Sequence, residues 1–541
     1  MNQACLEAVV PQSHRPPPLL LRASPATLLA GFVLLHVVVW TVLPIAFTHA
    51  LPVDLVEGVV WGQGWQLGYD QPPFQAWFLG LADWLSGYQR WAVYLTSQVL
   101  VAISLVALWR LARLIVNPLG ALVAVLVLDG AIFFNFMTPN LYPDLIELPF
   151  WALAAWSFYR ALRWGRLADW LLLGLWLAGA AYGKYVSALL ALTMVGFMLA
   201  EPQARRCWRT PGPWLCGALC LALLSPHLWW AIDGGFATLQ HIDHVSRPTT
   251  GLGDWLISLA GFVGGEMAHI GMATVLVLTL RGWRPGEGSV VLAGAPSTFD
   301  RRFVASLALG PILLMLGVAV IRGIELRIHW GYAMWCFLGL FAVIFVIPRV
   351  DGAGLRRFGR AWAGVFVAAG VAYAAINSIA SLSYSRATPG LVRDALPKYM
   401  MRRFQEEADF PGREIAAAIT QRWHETVGTP LAYLVGKKWI AGNVSFFSAD
   451  HPLVLRDGDP KRSPWIDMTA LAEHGAVVLW DPSRSGDSDP GGSLGRAFPT
   501  VEMQPPLLVR WHTPADLPPL RILWGIVRPA DQRLPPSVPA T

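Results

Sequence analysis

The chain has 541 residues, of which 55% are hydrophobic and only 14% charged, whereas about a quarter of the residues in soluble domains carry charge. With apolar runs of about 20 residues recurring over roughly the first 380 positions, this balance excludes an ordinary soluble enzyme and predicts a polytopic membrane protein. The formal charge of +6 does not point to nucleic acid, because the Arg residues fall in short loops between apolar runs and not on one soluble face.

Positions 1–25 read as a cytoplasmic N-terminal segment. The first apolar run, Ala26 to about His49, is longer than the usual core of a cleaved signal and reads as a retained helix. Length and flanks then predict about eleven spans, at 26–48, 91–112, 119–137, 144–162, 168–183, 185–201, 213–232, 255–280, 303–321, 330–348 and 361–381. Two of them, 168–183 and 185–201, are short and share a tight turn at Gly183-Lys184. Basic residues sort the loops: the inner segments carry Arg15 to Arg360 in clusters, while the alternate loops offer Arg90, Lys184, Arg247, Arg322 and Arg327, a bias of roughly 18 to 5. The N-terminus is therefore expected inside and the C-terminal tail outside. All five cysteines fall in expected cytoplasmic or membrane segments, so no disulfide is expected in the exported parts.

After Leu382 the composition becomes that of ordinary soluble protein. A helix-like stretch at Gly412 to Thr426 precedes apolar strands at Leu431 to Val435, near Leu453, at Ala476 to Trp480, Leu507 to Trp511 and Ile522 to Val527. That alternation predicts a small α/β domain. The expected fold class is mostly α: a polytopic helical bundle over 26–382 with a large outward loop at 49–90, followed by a small α/β domain over 383–541, outside the membrane.

Loops of about 40 residues in a compact membrane protein are usually functional, and the loop at 49–90 holds Asp54, Glu57 and Asp70 with no Lys or Arg before Arg90. Its second half, from Pro72-Pro73 to Leu79, is aromatic and too short to span, so it reads as an interfacial amphipathic helix begun by the prolines. Asp144 and Glu147 follow the Thr138-Pro139-Asn140 turn, where a carboxylate either favours a helix N-terminus or performs chemistry. Outward cations are few: Lys184 at its turn, and Arg327 beside His329. Each could hold a phosphate, with snorkelling as the plain alternative for Lys184. His241, Asp243 and His244, with His227 and Asp233 upstream, are candidate metal ligands by type, although a hydrogen-bonding role suits them better. Asp129 and Glu266 lie within spans and read as helix-to-helix hydrogen-bonding groups.

These residues carry a resemblance to the family 39 glycosyltransferases of the GT-C class, the group that includes bacterial aminoarabinose transferases and protein O-mannosyltransferases. The pattern comprises Asp54, Trp61-Gly62-Gln63, Leu67-Gly68-Tyr69, Pro72-Pro73 and Trp77. It continues through Phe136-Met137-Thr138-Pro139 with Asp144, Leu148-Pro149-Phe150-Trp151-Ala152-Leu153, Gly183-Lys184-Tyr185 and Pro226-His227. In the tail it includes Asp409-Phe410-Pro411-Gly412-Arg413 and Gly442-Asn443. The chain departs from the common Asp-Glu pair by having Leu55 after Asp54 and its second acid at Glu57. It also has Asp70-Gln71 where many relatives place a Lys or His before the Pro-Pro pair.

The resemblance implies a bacterial inner-membrane transferase that takes a sugar from a polyprenyl-phosphate carrier on the periplasmic face and passes it, with inversion, to a glycolipid, polysaccharide or protein acceptor. Asp54, helped by Asp144, is the expected catalytic pair; Glu57, Asp70, Lys184, Arg327 and His329 are the expected substrate-binding groups. A divalent metal stays open, and with no nucleotide-binding glycine loop in the sequence a lipid donor is expected rather than a nucleotide. The competing class is a polytopic lipid or solute transporter or flippase, which would show two related halves; no half-to-half similarity is evident in the sequence.

Overall fold

The computed structural model describes residues 23–233, 251–281, 289–383, 407–482, 498–513 and 518–532. Its first helix, α1 (Pro25–Phe47), starts where Ser24 accepts a hydrogen bond from the Thr27 amide at 3.1 Å and Pro25 occupies the first turn, so one first-turn amide is given an acceptor and one position has no N–H to satisfy. At the other end Arg90 donates to the carbonyls of Thr48 (2.7 Å) and Pro44 (3.2 Å). One of the few outward cations is thus spent on the carbonyls at the end of α1.

Between α1 and α4 (Arg90–Ala112) the outward loop folds into two helices, α2 (Val53–Gly62) and α3 (Phe74–Ser86). They cross closely because both contact points are glycine: a methyl on Gly62 would stand 2.8 Å from the Gly80 Cα. α3 begins directly after Pro72-Pro73 and leaves Leu81, Trp84 and Leu85 exposed on one stripe, with Gln75, Ala76, Leu79 and Asp83 buried on the other. That two-sidedness suits a helix lying at a membrane surface.

The bundle continues with α5 (Pro118–Leu128), α6 (Pro143–Trp164), α7 (Leu167–Gly183), α8 (Ala188–Ala200), α9 (Pro211–Asp233), α10 (Leu252–His269), α11 (Gly271–Leu280), α12 (Thr298–Arg322), α13 (Leu338–Phe345) and α14 (Gly352–Ser383). A 3-10 stretch, Ile328–Phe337, leads into α13. Every one of the expected spans falls on one of these helices or on a bent pair. The apolar run at 119–137 is the exception in length: α5 stops at Leu128 and a 3-10 turn follows at Ile132–Phe134. Buried Asp129 ends it, accepting a hydrogen bond from the Trp362 indole at 2.8 Å and lying 3.5 Å from His36, which ties α1, α5 and α14 together as expected of a polar group in a span.

By length and apolarity six helices among the described residues can cross a bilayer, or eight if each bent pair counts as one. About eleven were expected; α5 and α7 are shorter than a bilayer requires, and α6 carries charges at both of its ends. The chain is a multi-pass membrane protein.

Two short strands, β1 (Val290–Val291) and β2 (Arg349–Val350), pair antiparallel. After the bundle comes a small mixed sheet with strand order β4 (Leu453–Arg456), β3 (Tyr433–Gly436), β5 (Ala476–Trp480), β8 (Leu520–Val527) and β6 (Glu502–Met503); β7 (Leu507–Val509) also pairs with β8. β3 runs parallel to β4 and β5, and β5 antiparallel to β8. Helices α15 (Gly412–Val427), α16 (Lys438–Phe447) and α17 (Met468–His474) complete this α/β layer. α16 packs on α2, and Gly442 permits it: any side chain there would collide with Val56. The buried core therefore runs without a break from the bundle through Val56 and Val60 into Ile440, Val444 and Leu434.

Candidate active site

A cavity of about 600 Å³ opens where α2, α6, α7, α8, α12 and the Ile328–Phe337 turn converge. Its polar wall holds Asp54, Tyr142, Asp144, Lys184, His329 and Tyr332; its apolar wall holds Leu189, Met315, Val318 and Ala319. Local sequence explains each placement. Pro143 starts α6 and sets Asp144 in its first turn, where the helix N-terminus favours negative charge. α7 ends at Gly183, and Lys184 follows in extended conformation, φ −164°, which swings its side chain across to α6. There Lys184 donates to Asp144, both side chains being largely buried.

Gln75 joins the outward loop to this wall. Its buried amide donates to the Asp54 carbonyl at 2.9 Å and to the Leu141 carbonyl at 2.8 Å, so the segments bearing Asp54 and Asp144 are held by one side chain. The Thr138-Pro139-Asn140 turn is fixed in the same way, with Ser97 donating to the Thr138 carbonyl at 2.5 Å and Asn140 to the Tyr142 hydroxyl at 2.8 Å. Such buried, mutually satisfied polar contacts hold a site in one geometry.

The expected site residues separate into two groups. Asp54, Asp144, Lys184 and His329 meet in the cavity wall. Glu57 and Asp70 face the α/β layer: Glu57 pairs with Lys438 at 2.6 Å, and Arg456 reaches Asp70 at 3.2 Å and Glu57 at 3.5 Å. Arg456, its side chain only 3% exposed, also lies over the Trp61 ring at 5.4 Å. Nearby, Gln63 donates to Ser445 at 2.9 Å and accepts from the Val454 amide, while Asn443 accepts from the Leu51 amide at 3.1 Å. Arg327 is exposed and does not line the cavity.

His227 accepts from the Tyr185 hydroxyl at Nε2 (2.6 Å) and donates from Nδ1 to the Leu67 carbonyl (2.6 Å). Both nitrogens are engaged, which fixes the neutral tautomer and holds the cavity residue Tyr185. Among the described residues no group of three or more His, Cys, Asp or Glu is arranged to hold a metal; His241, Asp243 and His244 lie outside the described residues. Glu266 accepts from the Trp335 indole at 2.5 Å, joining α10 to the Ile328–Phe337 turn. Sequence reasoning had not picked out Gln75, Tyr142 or Tyr332 as site residues, nor the partners Lys438 and Arg456. Only the Gly442-Asn443 pair signalled that α16 mattered, and its role is to dock.

The solved structure of ArnT from Cupriavidus metallidurans bound to undecaprenyl phosphate aligns with a TM-score of 0.56 at 14% identity, covering 93% of this chain and 97% of that one. The fold is that of the GT-C glycosyltransferases. The family model for dolichyl-phosphate-mannose-protein mannosyltransferases matches residues 70–230 of this chain, a stretch that includes Asp144, Lys184 and His227. The resemblance read from the sequence motifs is thus upheld. An archaeal oligosaccharyltransferase, AglB from Archaeoglobus fulgidus in complex with an inhibitory peptide and a dolichol-phosphate, aligns at a TM-score of 0.32 and 10% identity, over 87% of this chain and 72% of that one. No curated protein sequence matches the chain.

Proposed function

We propose that this protein is a membrane glycosyltransferase that moves a sugar from a polyprenyl-phosphate donor to an envelope acceptor on the periplasmic face, with inversion. The observation that carries the reading is the cavity itself, where Asp54, Asp144 and Lys184 stand against the apolar wall of Met315, Val318 and Ala319. A donor of this kind has an anionic head and a long apolar tail, and the two walls match those two parts. The mannosyltransferase family model and the likeness to a transferase structure holding undecaprenyl phosphate support the same donor class.

The chemistry follows from the charges. Asp54 takes the proton of the acceptor hydroxyl as its oxygen attacks the anomeric carbon. The bond from that carbon to the phosphate oxygen breaks, and its electron pair leaves on the polyprenyl phosphate. Lys184 meets the charge that grows there, an interaction that strengthens toward the transition state. Asp144 holds Lys184 in place until the phosphate competes for it. A single displacement inverts the sugar.

The periplasmic placement rests on the Arg bias of the loops; together with the odd count of about eleven spans read from the sequence, that bias would also put the C-terminal α/β layer outside the cytoplasm. The test is transfer from a synthetic polyprenyl-phosphate sugar by the purified chain in detergent, with released polyprenyl phosphate as the readout. Release that depends on acceptor is expected. No release with any glycolipid, polysaccharide or peptide acceptor would leave a transporter as the better reading.

A further inference from the structure

The seam between α8 and α12 extends beyond the candidate site. Leu189 and Met315 line the cavity at one end. Further along, a second cavity of about 650 Å³ opens between Gly196 and Ala200 of α8 and Ser306 and Gly310 of α12. Small residues make it. A methyl on Gly310 would press on Thr193, whereas one on Gly196 would meet nothing within 4 Å. The Thr193 hydroxyl is turned back to the Leu189 carbonyl at 2.7 Å, so the floor offers a methyl group and the Phe197 ring. Leu192 and Leu313 stand exposed at the rim.

At its far end the groove becomes charged. Glu201, 7% exposed, accepts from Arg302 at 3.0 Å, and the Arg302 side chain is 61% exposed. A guanidinium has five donors in a fixed fork. One edge is fixed by a buried acid, and most of the group still faces outward. Arg301, Arg205 and Arg206 are exposed in the adjoining first turn of α12 and the turn after α8, while the nearby Asp300 is taken by the Ser297 cap and the Tyr159 hydroxyl. Acid and base do not balance here; the rim is cationic.

We propose that this groove binds an anionic phospholipid, with one acyl chain along Gly196 and Gly310 and the phosphate on Arg302. A donor tail passing down the same seam would end uncharged and leave the cationic rim unmatched, about 18 Å along α8 from the catalytic cavity at 1.5 Å per residue. The binding does not depend on the transferase reading, and its test uses no turnover.

Native mass spectrometry of the full chain, supplied with equal amounts of phosphatidylglycerol and phosphatidylcholine of identical acyl chains, reads the site. The glycerol lipid is expected to be retained about fivefold more than the choline lipid, the effect of one well-placed cation at an anionic head group. Arg302→Gln should bring the ratio close to one, and Arg302→Lys should keep most of the preference. Gly196→Leu, whose Cβ has nothing within 4 Å and whose remaining atoms fill the groove, should remove both adducts while thermal unfolding stays unchanged. Equal retention of the two lipids by the unaltered chain would overturn the proposal, as would adducts unaffected by Gly196→Leu. So would a Gly196→Leu variant that keeps phospholipid and loses polyprenyl phosphate instead, because the groove would then belong to the donor tail.

Discussion

Asp54 and Glu57 stand on the same ten-residue helix, yet Asp54 joins Asp144 and Lys184 in the wall of the cavity while Glu57 turns to Lys438 and Arg456 in the α/β layer. The clasp is balanced: two acids, Glu57 and Asp70, meet two cations, and the buried Arg456 is further held by Trp61. The cavity is not balanced in this way. It gathers two acids, one lysine and a histidine beside an apolar wall, so a ligand that brings its own charge can reorganise it. Carboxylates three residues apart thus serve structure in one region and chemistry in the other, and the partner elements decide which.

The largest effect is expected where the cavity loses its lysine. Lys184→Met should lower turnover about 100-fold or more while changing donor binding less, as for a group that stabilises charge growing in the transition state. Arg327→Gln, at an exposed position outside the wall, should cost less than Lys184→Met; steady-state kinetics of the two variants would undo the assignment if the order were reversed. Next comes the docking surface. Gly442→Val forces a side chain against Val56, and overpacking of this kind costs about 1–3 kcal/mol; limited proteolysis should show the α/β layer released more readily. Arg456→Gln should cost roughly 1–2 kcal/mol in thermal or denaturant unfolding, less than a fully buried pair because Asp70 stays partly solvated. An unchanged unfolding profile in both variants would mean that the clasp does not hold the layer to α2.

A separate effect concerns pH. Burial pushes the Asp409 carboxyl up from 3.8 to about 7, so the folded chain holds that proton more tightly than the unfolded one. The stability it contributes is complete below about pH 4, falls as pH rises toward 7 and is level above. Asp409→Asn should flatten that fall, seen as unfolding temperature against pH. A steeper fall in the variant would contradict the sign.

Much of this was legible in the residues. The apolar runs marked where the long helices of the bundle fall, because a bilayer demands long apolar stretches, and short apolar runs found the strands at 431–435, 476–480 and 522–527 within a few positions. The meeting of Asp54, Asp144 and Lys184 was legible as a list of outward charges, though not as a geometry. What escaped was long range. Glu57 and Lys438 lie some 380 positions apart in the chain, and no local pattern announces such a pair. The break after Leu128 escaped for another reason: apart from Asp129-Gly130 the run stays apolar through Phe134, and the helix ends at that pair, where Asp129 is buried against His36 and Trp362.

The most direct test of the division between the two regions is to compare Asp54→Asn with Glu57→Gln in the same transfer assay, both changes being isosteric and charge-removing. Asp54→Asn should lose at least about 100-fold in turnover while remaining folded, as expected for a general base, and Glu57→Gln should stay within several-fold of the unaltered chain. Near-normal turnover by Asp54→Asn, or an equal collapse of both, would contradict the assignment of the cavity as the active site.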